Sequence, residues 1–162
     1  MKHTITALVE NKPGVLSRVV GLISGRGCNI ETLCVGPTQD QSCSKITMVV
    51  PGDDHVLEQV ILQLRKLVDV LHVTDVTRRR HISREAILVE IATGVQGRAA
   101  AIELATLFSA AIIGVREQSL TLQMVGDEDQ IGDFLRALCA FEVLDIARSG
   151  VVSVARGNGQ MT

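Results

Sequence analysis

Ile5, Ala7 and Val9 recur at every second position in a stretch rich in Thr and Val, so residues 3–10 are predicted as a strand. The period then changes. Leu16, Val19, Val20 and Ile23 fall at i, i+3, i+4 and i+7, one face of a helix, and Gly25 and Gly27 supply its stop. Residues 29–35 and 44–50 read as two strands joined by the loop "GPTQDQS", a hairpin. Pro51-Gly52-Asp53-Asp54 is a turn that opens a second helix, with Val56, Leu57, Val60, Ile61, Leu64 and Leu67 along its apolar face. Residues 70–76 close the series as a strand. The first half therefore runs strand, helix, strand, strand, helix, strand.

The second half repeats that order. Residues 86–92 are strand-like, and Ala101, Leu104, Ala105 and Phe108 mark a helix. Residues 112–116 and 120–125 are short strands. Ile131, Phe134, Leu135 and Leu138 mark another helix, with acidic residues 127–129 suited to its positive N-terminal end. Residues 143–147 and 151–154 complete the sheet. Between the halves lies "TRRRHISRE", with four arginines and no apolar period. The pattern predicts an α+β chain of two ferredoxin-like βαββαβ domains, residues 1–77 and 85–162, joined by a linker at 78–84. Domains of about 75 residues are small for independent stability, so further surface should be buried by pairing.

Composition narrows the function classes. The chain has 162 residues, 46% of them hydrophobic, and a net charge of −2, which offers no general attraction to nucleic acid or an anionic membrane. Aromatic residues are 2%, too few for base-stacking platforms. No apolar run approaches the ~18 residues of a membrane span, and the N-terminal "MKHTITALVE" lacks a signal peptide's apolar centre. Cys28, Cys34, Cys43 and Cys139 form no C-x-x-C pair, which favours small buried hydrophobes over a metal site and predicts a reducing, cytoplasmic setting. His3, His55, His72 and His81 are scattered, without an i, i+4 partner or a nucleophile motif to serve.

Three stretches carry candidate chemistry. In "ENKPGVLSRV", Pro13 is placed at the first helical turn, where its missing N–H costs nothing. The amides of Gly14, Val15 and Leu16 are then free donors at the positive end of a helix, a ready carboxylate site. Gly14 leaves room for close approach, and the Asn11 amide can both donate and accept. The same residues also suit plain capping, and the local pattern leaves both readings open. The Arg78–Arg80 cluster with Arg84 reads as a solvated linker or as a contact to an acidic patch on a partner. "GVQGRAAA" opens a helix after Gly97 and suggests phosphate binding only weakly, because the Lys-Ser/Thr of a phosphate loop is missing.

"ALVENKPGVLSRVVGLISGRGCNIETLCVGPT" resembles an ACT domain, the small amino-acid-sensing ferredoxin-like module. "NKPGVLSRV" with "RGCNIETL", then "VLEQVILQLRKLVDVLHVTDV", "REAILVEI" and "VLDIARSGVVSVARG", resemble the regulatory small subunit of acetolactate synthase over nearly the whole chain. The resemblance implies a subunit with no active site of its own. It would activate a large catalytic subunit in branched-chain amino-acid biosynthesis and confer feedback inhibition, usually by valine. Thiamine diphosphate and magnesium, with FAD a further candidate, would belong to that large subunit. It also implies a homodimer through the ACT domain with effector sites between protomers. The loop with Asn11, Gly14 and Val15 would come from one chain, and Asn29 and Ile30, at the start of the second strand, from the other. Leu16 and Ser17 are adjacent candidates. Cys28 departs from the aromatic expected there, which would alter packing beside the site. The other classes are a stand-alone enzyme, disfavoured by the missing catalytic set, and an ACT-type regulator of another enzyme or of transcription, for which no helix-turn-helix is present.

Overall fold

The computed structural model describes residues 1–156. They form two compact units: Met1–Ile82 together with the segment from Gly150 on, and Ser83–Ser149.

The first unit contains β1 (Lys2–Glu10), α1 (Val15–Ser24), β2 (Thr32–Pro37), β3 (Cys43–Pro51), α2 (Asp54–Leu64) and β4 (Val70–Asp75). The strands form one antiparallel sheet in the order β2-β3-β1-β4, so β1 is central and β2 an edge. Ile5, Ala7 and Val9 of β1 lie opposite Met48, Ile46 and Ser44 of β3 and share a core with Val15, Val19 and Ile23 of α1 and Leu57, Val60 and Leu64 of α2. The two periods read from the sequence meet there, period 2 from the sheet and period 3.6 from the helices. The β1–β4 ladder is bulged between Leu8 and Val9. Asp53 caps α2 by accepting from the Val56 N–H at 2.8 Å.

Two boundaries in this unit differ from expectation. Pro13 lies in the turn ahead of α1, whose N-cap is Gly14, and is not in the first helical turn. The second strand begins at Thr32, which leaves Asn29 and Ile30 in the connection before it. After α1 the chain reverses through Gly27, at φ +71°, and the Cys28 N–H reaches back to the Ile23 carbonyl at 3.4 Å. Ladder pairing with β3 starts only where Glu31 N–H meets Val49 O at 2.9 Å.

The second unit is built on β5 (His81–Ala92), α3 (Arg98–Leu107), β6 (Ala111–Val115), β7 (Ser119–Gly126), α4 (Glu128–Ala137), a 3-10 turn at Leu138–Ala140 and β8 (Val143–Arg148). Its sheet order is β6-β7-β5-β8, the arrangement of the first sheet repeated. Ile87, Val89 and Ile91 pack with Leu120 and Leu122 of β7, Ala101 and Ala105 of α3 and Ile131 and Phe134 of α4. Phe108 and Phe134 meet edge-on at 5.4 Å between centroids. Asp127 and Gln130 form a reciprocal capping box on α4, and Glu128 and Asp129 follow in its first turn. The β5–β8 ladder is bulged between Glu90 and Ile91, the same place in the repeat as the β1 bulge.

The segment expected to be a linker at 78–84 is strand from His81 onward. β5 pairs with β7 over residues 85–92 and with β8 over 87–91, so its first residues overhang both partners. A last strand, β9 (Val152–Ala155), pairs with β5, and Arg156 N–H donates to Arg80 O at 2.6 Å. The overhang therefore has its own ladder partner, which a basic sequence without apolar period does not announce. β9 pairs with β5 but falls in the first compact unit, whereas residues 85–162 were expected to form one domain after a linker at 78–84. Residues 157–162 of that expected domain lie outside the described residues.

Candidate functional site

The end of β1 is held by the β2–β3 hairpin loop. Asn11 N–H donates to Ser42 O at 2.7 Å, and Asn11 Nδ2 donates to Gln41 O at 3.0 Å. The loop is braced by Asp40, whose Oδ1 accepts from the Ser42 N–H at 2.9 Å and from its hydroxyl at 2.7 Å. Those donors hold the Asp40 carboxyl below the usual aspartate range. Asn11 is exposed, and among the described residues its Oδ1 accepts nothing. Next to it, Lys12 pairs with Glu10 at 2.6 Å, a contact that raises the lysine above its ordinary range.

Gly14 then turns the chain into α1 with φ +84° and ψ −11°. This left-handed conformation is a second reason for glycine that the sequence pattern did not reveal. A Cβ at Gly14 would meet nothing within 4 Å, so the space in front of the helix is open. Val15 N–H lies 3.4 Å from Lys12 O, a long bond, so it is not the free donor expected. The first α1 amide with a helical acceptor is that of Arg18, which donates to Gly14 O at 3.1 Å. Among the described residues the amides of Gly14, Leu16 and Ser17 have no acceptor. No side chain caps this helix and its first turn holds no acid. Arg18 is spoken for by Asp69 at 2.7 Å. The result is a bare, electropositive helix end facing open space.

Of the other expected residues, Val15 is buried in the core and contributes only its backbone, whereas Leu16 is 40% exposed beside the free amides. Asn29 is exposed, and Ile30 packs partly onto the core. The structure does not bring this pair to Asn11 and Gly14 within one chain. They lie at opposite ends of α1, whose ten residues span about 15 Å.

Two features of this unit were not anticipated. Arg78 pairs with Asp54 at the start of α2 and so is not a merely solvated cation. His3 is 1% exposed, with Nε2 3.4 Å from Asp54 Oδ1 and Nδ1 3.7 Å from Asp75 Oδ2. Its phase with Ile5, Ala7 and Val9 was the available sign that it points inward.

A four-stranded antiparallel sheet with two helices in the order βαββαβ is the fold of an ACT domain. The family model described as the AHAS small subunit-like ACT domain matches residues 5–72, and that described as the small subunit of acetolactate synthase matches residues 84–157. The chain belongs to the acetolactate synthase small-subunit family. It is 43% identical over 158 residues to a probable acetolactate synthase small subunit of Archaeoglobus fulgidus, covering 98% of this chain and 99% of that one. It is 42% identical to the acetolactate synthase isozyme 3 small subunit of Salmonella typhimurium over 159 residues, 98% of each. The crystal structure of the acetolactate synthase small subunit from Thermotoga maritima superposes with a TM-score of 0.89 at 30% identity, covering 98% of this chain and 99% of that one.

Proposed function

We propose that this chain is the regulatory, non-catalytic subunit of an acetolactate synthase in the cytoplasm. It activates a large catalytic subunit and confers feedback inhibition by a branched-chain amino acid, valine first among them. Thiamine diphosphate, magnesium and any FAD belong to the large subunit. The observation that carries this reading is the open α1 N-terminus. Three unpartnered amides and the positive helix end receive the effector carboxylate, while Asn11 Oδ1 accepts from its ammonium group. Asn29 and Ile30 complete the site from a second copy, since one chain holds them at the far end of α1. The edge strand β2, with no charged residue in "TLCVGP", supports such a homodimer.

The test is to assay each subunit separately and mixed, then to titrate valine. This chain alone should form no acetolactate, and the mixture should turn over faster than the large subunit alone and lose that rate as valine is added. Equal rates with and without this chain would rule out activation, and a mixture indifferent to every branched-chain amino acid would rule out the effector.

A further inference from the structure

We infer that the second unit carries an oxyanion site of its own, for a small phosphate or carboxylate group, where β5 turns into α3. The inference does not depend on the effector reading, because every donor it uses lies between residues 93 and 118. The turn is Thr93-Gly94-Val95-Gln96-Gly97, and Gly97 is the N-cap of the ten-residue α3, without a side-chain cap. The first α3 amide with a helical acceptor is that of Ala101, at 3.0 Å from Gly97 O. The amides of Arg98, Ala99 and Ala100 have none among the described residues.

A bare helix end is common, but two buried unpartnered groups belong to the same turn. Thr93 is 1% exposed and its hydroxyl has no hydrogen-bond partner. It continues the inward series Ile87, Val89 and Ile91, so its side chain falls on the face of the sheet where α3 begins, and a Cβ on Gly97 would lie 3.9 Å from the Thr93 Cα. Arg98 Nε is also buried and unpartnered. Both residues are anchored on the same β6–β7 turn. Thr93 N–H donates to Gln118 O at 2.8 Å, and Arg98 Nη2 donates to Arg116 O at 2.6 Å and to Glu117 O at 2.8 Å. What remains unsatisfied is a hydroxyl, a guanidinium N–H and three amides, all able to donate. Of these the hydroxyl and the guanidinium N–H are buried, and buried donors without acceptors are rare and costly; a group with several oxygen lone pairs satisfies them together with the helix amides.

Among the described residues no carboxylate supplies those lone pairs. Glu90, between inward-facing Val89 and Ile91, is on the other face of β5, where it accepts from Ser119 Oγ at 2.7 Å and Arg116 at 3.3 Å. Thr93 follows Ile91 by two residues as Asn11 follows Val9, after a bulge at the same place, so it occupies the counterpart of Asn11 in the repeat. Because Thr93 is covered, the ligand enters as the 94–97 turn shifts. Val95, 89% exposed, gives that turn no apolar anchor.

The test titrates the full-length 15N-labelled protein at constant ionic strength with inorganic phosphate and, in a second arm, with acetate. Saturable amide shifts at Gly97, Arg98 and Ala99 are expected, and the arm that binds more tightly identifies the oxyanion. Thr93→Val should weaken that binding about tenfold, the loss of one hydrogen bond to a charged group, while Thr93→Ser, which keeps the hydroxyl, retains it. No saturable shift with either anion, or equal binding by the Val variant, would overturn the site, as would loss of binding in both variants. Valine-dependent shifts at Gly14, Leu16 and Ser17 report separately on the first unit.

Discussion

Gly14 is where charge and shape at the candidate effector site can be separated. Its φ of +84° penalises any L side chain, by about 1–2 kcal/mol in general and less for Asn and Asp, which tolerate this region best. A Cβ there meets nothing within 4 Å, so no clash within the chain adds to the strain. Gly14→Asn and Gly14→Asp should therefore both lower the melting temperature, by roughly 4–8 °C per kcal/mol for a unit of this size. Asp should be no worse than Asn, because a carboxylate at a helix N-terminus is worth about 0.3–1 kcal/mol. Inhibition should order them differently. Both side chains enter the open space in front of α1, but only Asp brings a negative charge to the amides proposed for the effector carboxylate. With helix-end interactions worth up to about 2 kcal/mol when partly buried, Asp should raise the valine concentration for half-inhibition about tenfold or more, and Asn by less. The assay is valine titration of the reconstituted enzyme, with activation by each variant and its melting curve as controls. Equal shifts for Asn and Asp would refute the carboxylate placement, and unchanged inhibition in both would reduce Pro13-Gly14 to a turn.

Asn29→Ala should weaken inhibition more mildly while sparing activation, read in the same titration. Sedimentation at micromolar concentration should give a dimer or larger, and a stable monomer would contradict a site shared between copies. In the second unit, Arg148 forks onto Glu85, which is 3% exposed, through Nε at 3.0 Å and Nη2 at 2.6 Å. Arg148→Met strands that carboxylate, and with the arginine 46% exposed the cost should be about 2 kcal/mol, visible as a drop of roughly 10 °C on melting at neutral pH. Asp40 is held below the usual aspartate range, so its stabilisation of the 38–42 loop is present above the unfolded value near 3.8 and is lost as pH falls through the lower folded one. Amide shifts of Ser42 and Asn11 should therefore move together in a single acid titration, at a midpoint below that of an unperturbed aspartate.

The fold was legible because most elements have a clean period. β1 and β5 show alternation, α1 and α2 show four or more apolar residues at helical spacing, and glycines punctuate the ends. The first strand residues of β5 were not legible, because "HISR" has no core to face and is a strand through its backbone partner β9 alone. At the candidate site, Asn11 and the Gly14 turn were legible as a motif, and the free amides of Gly14, Leu16 and Ser17 follow from helix geometry. The left-handed backbone at Gly14 was not, since a glycine beside a helix start is explained equally well by clearance. Asn29 and Ile30 were misplaced onto a strand because β-branched and polar residues after a glycine look extended whether or not a ladder partner exists. Thr93 stayed silent for a different reason: a lone threonine at a strand end looks ordinary until its hydroxyl is found buried without a partner.

The division of the chain has a consequence for the order in which it is made. The first unit ends at Ile82 and resumes only at Gly150, whose own Cβ position would stand 3.2 Å from the Leu33 carbonyl of β2. During synthesis, therefore, β1 to β4 emerge and pair before their last piece exists. The intervening residues 83–149 must leave the ribosome first, by which time the second sheet can already be forming. The first unit is thus finished last, and a nascent chain stalled before Gly150 holds a ferredoxin-like sheet still waiting for the backbone that lies against β2.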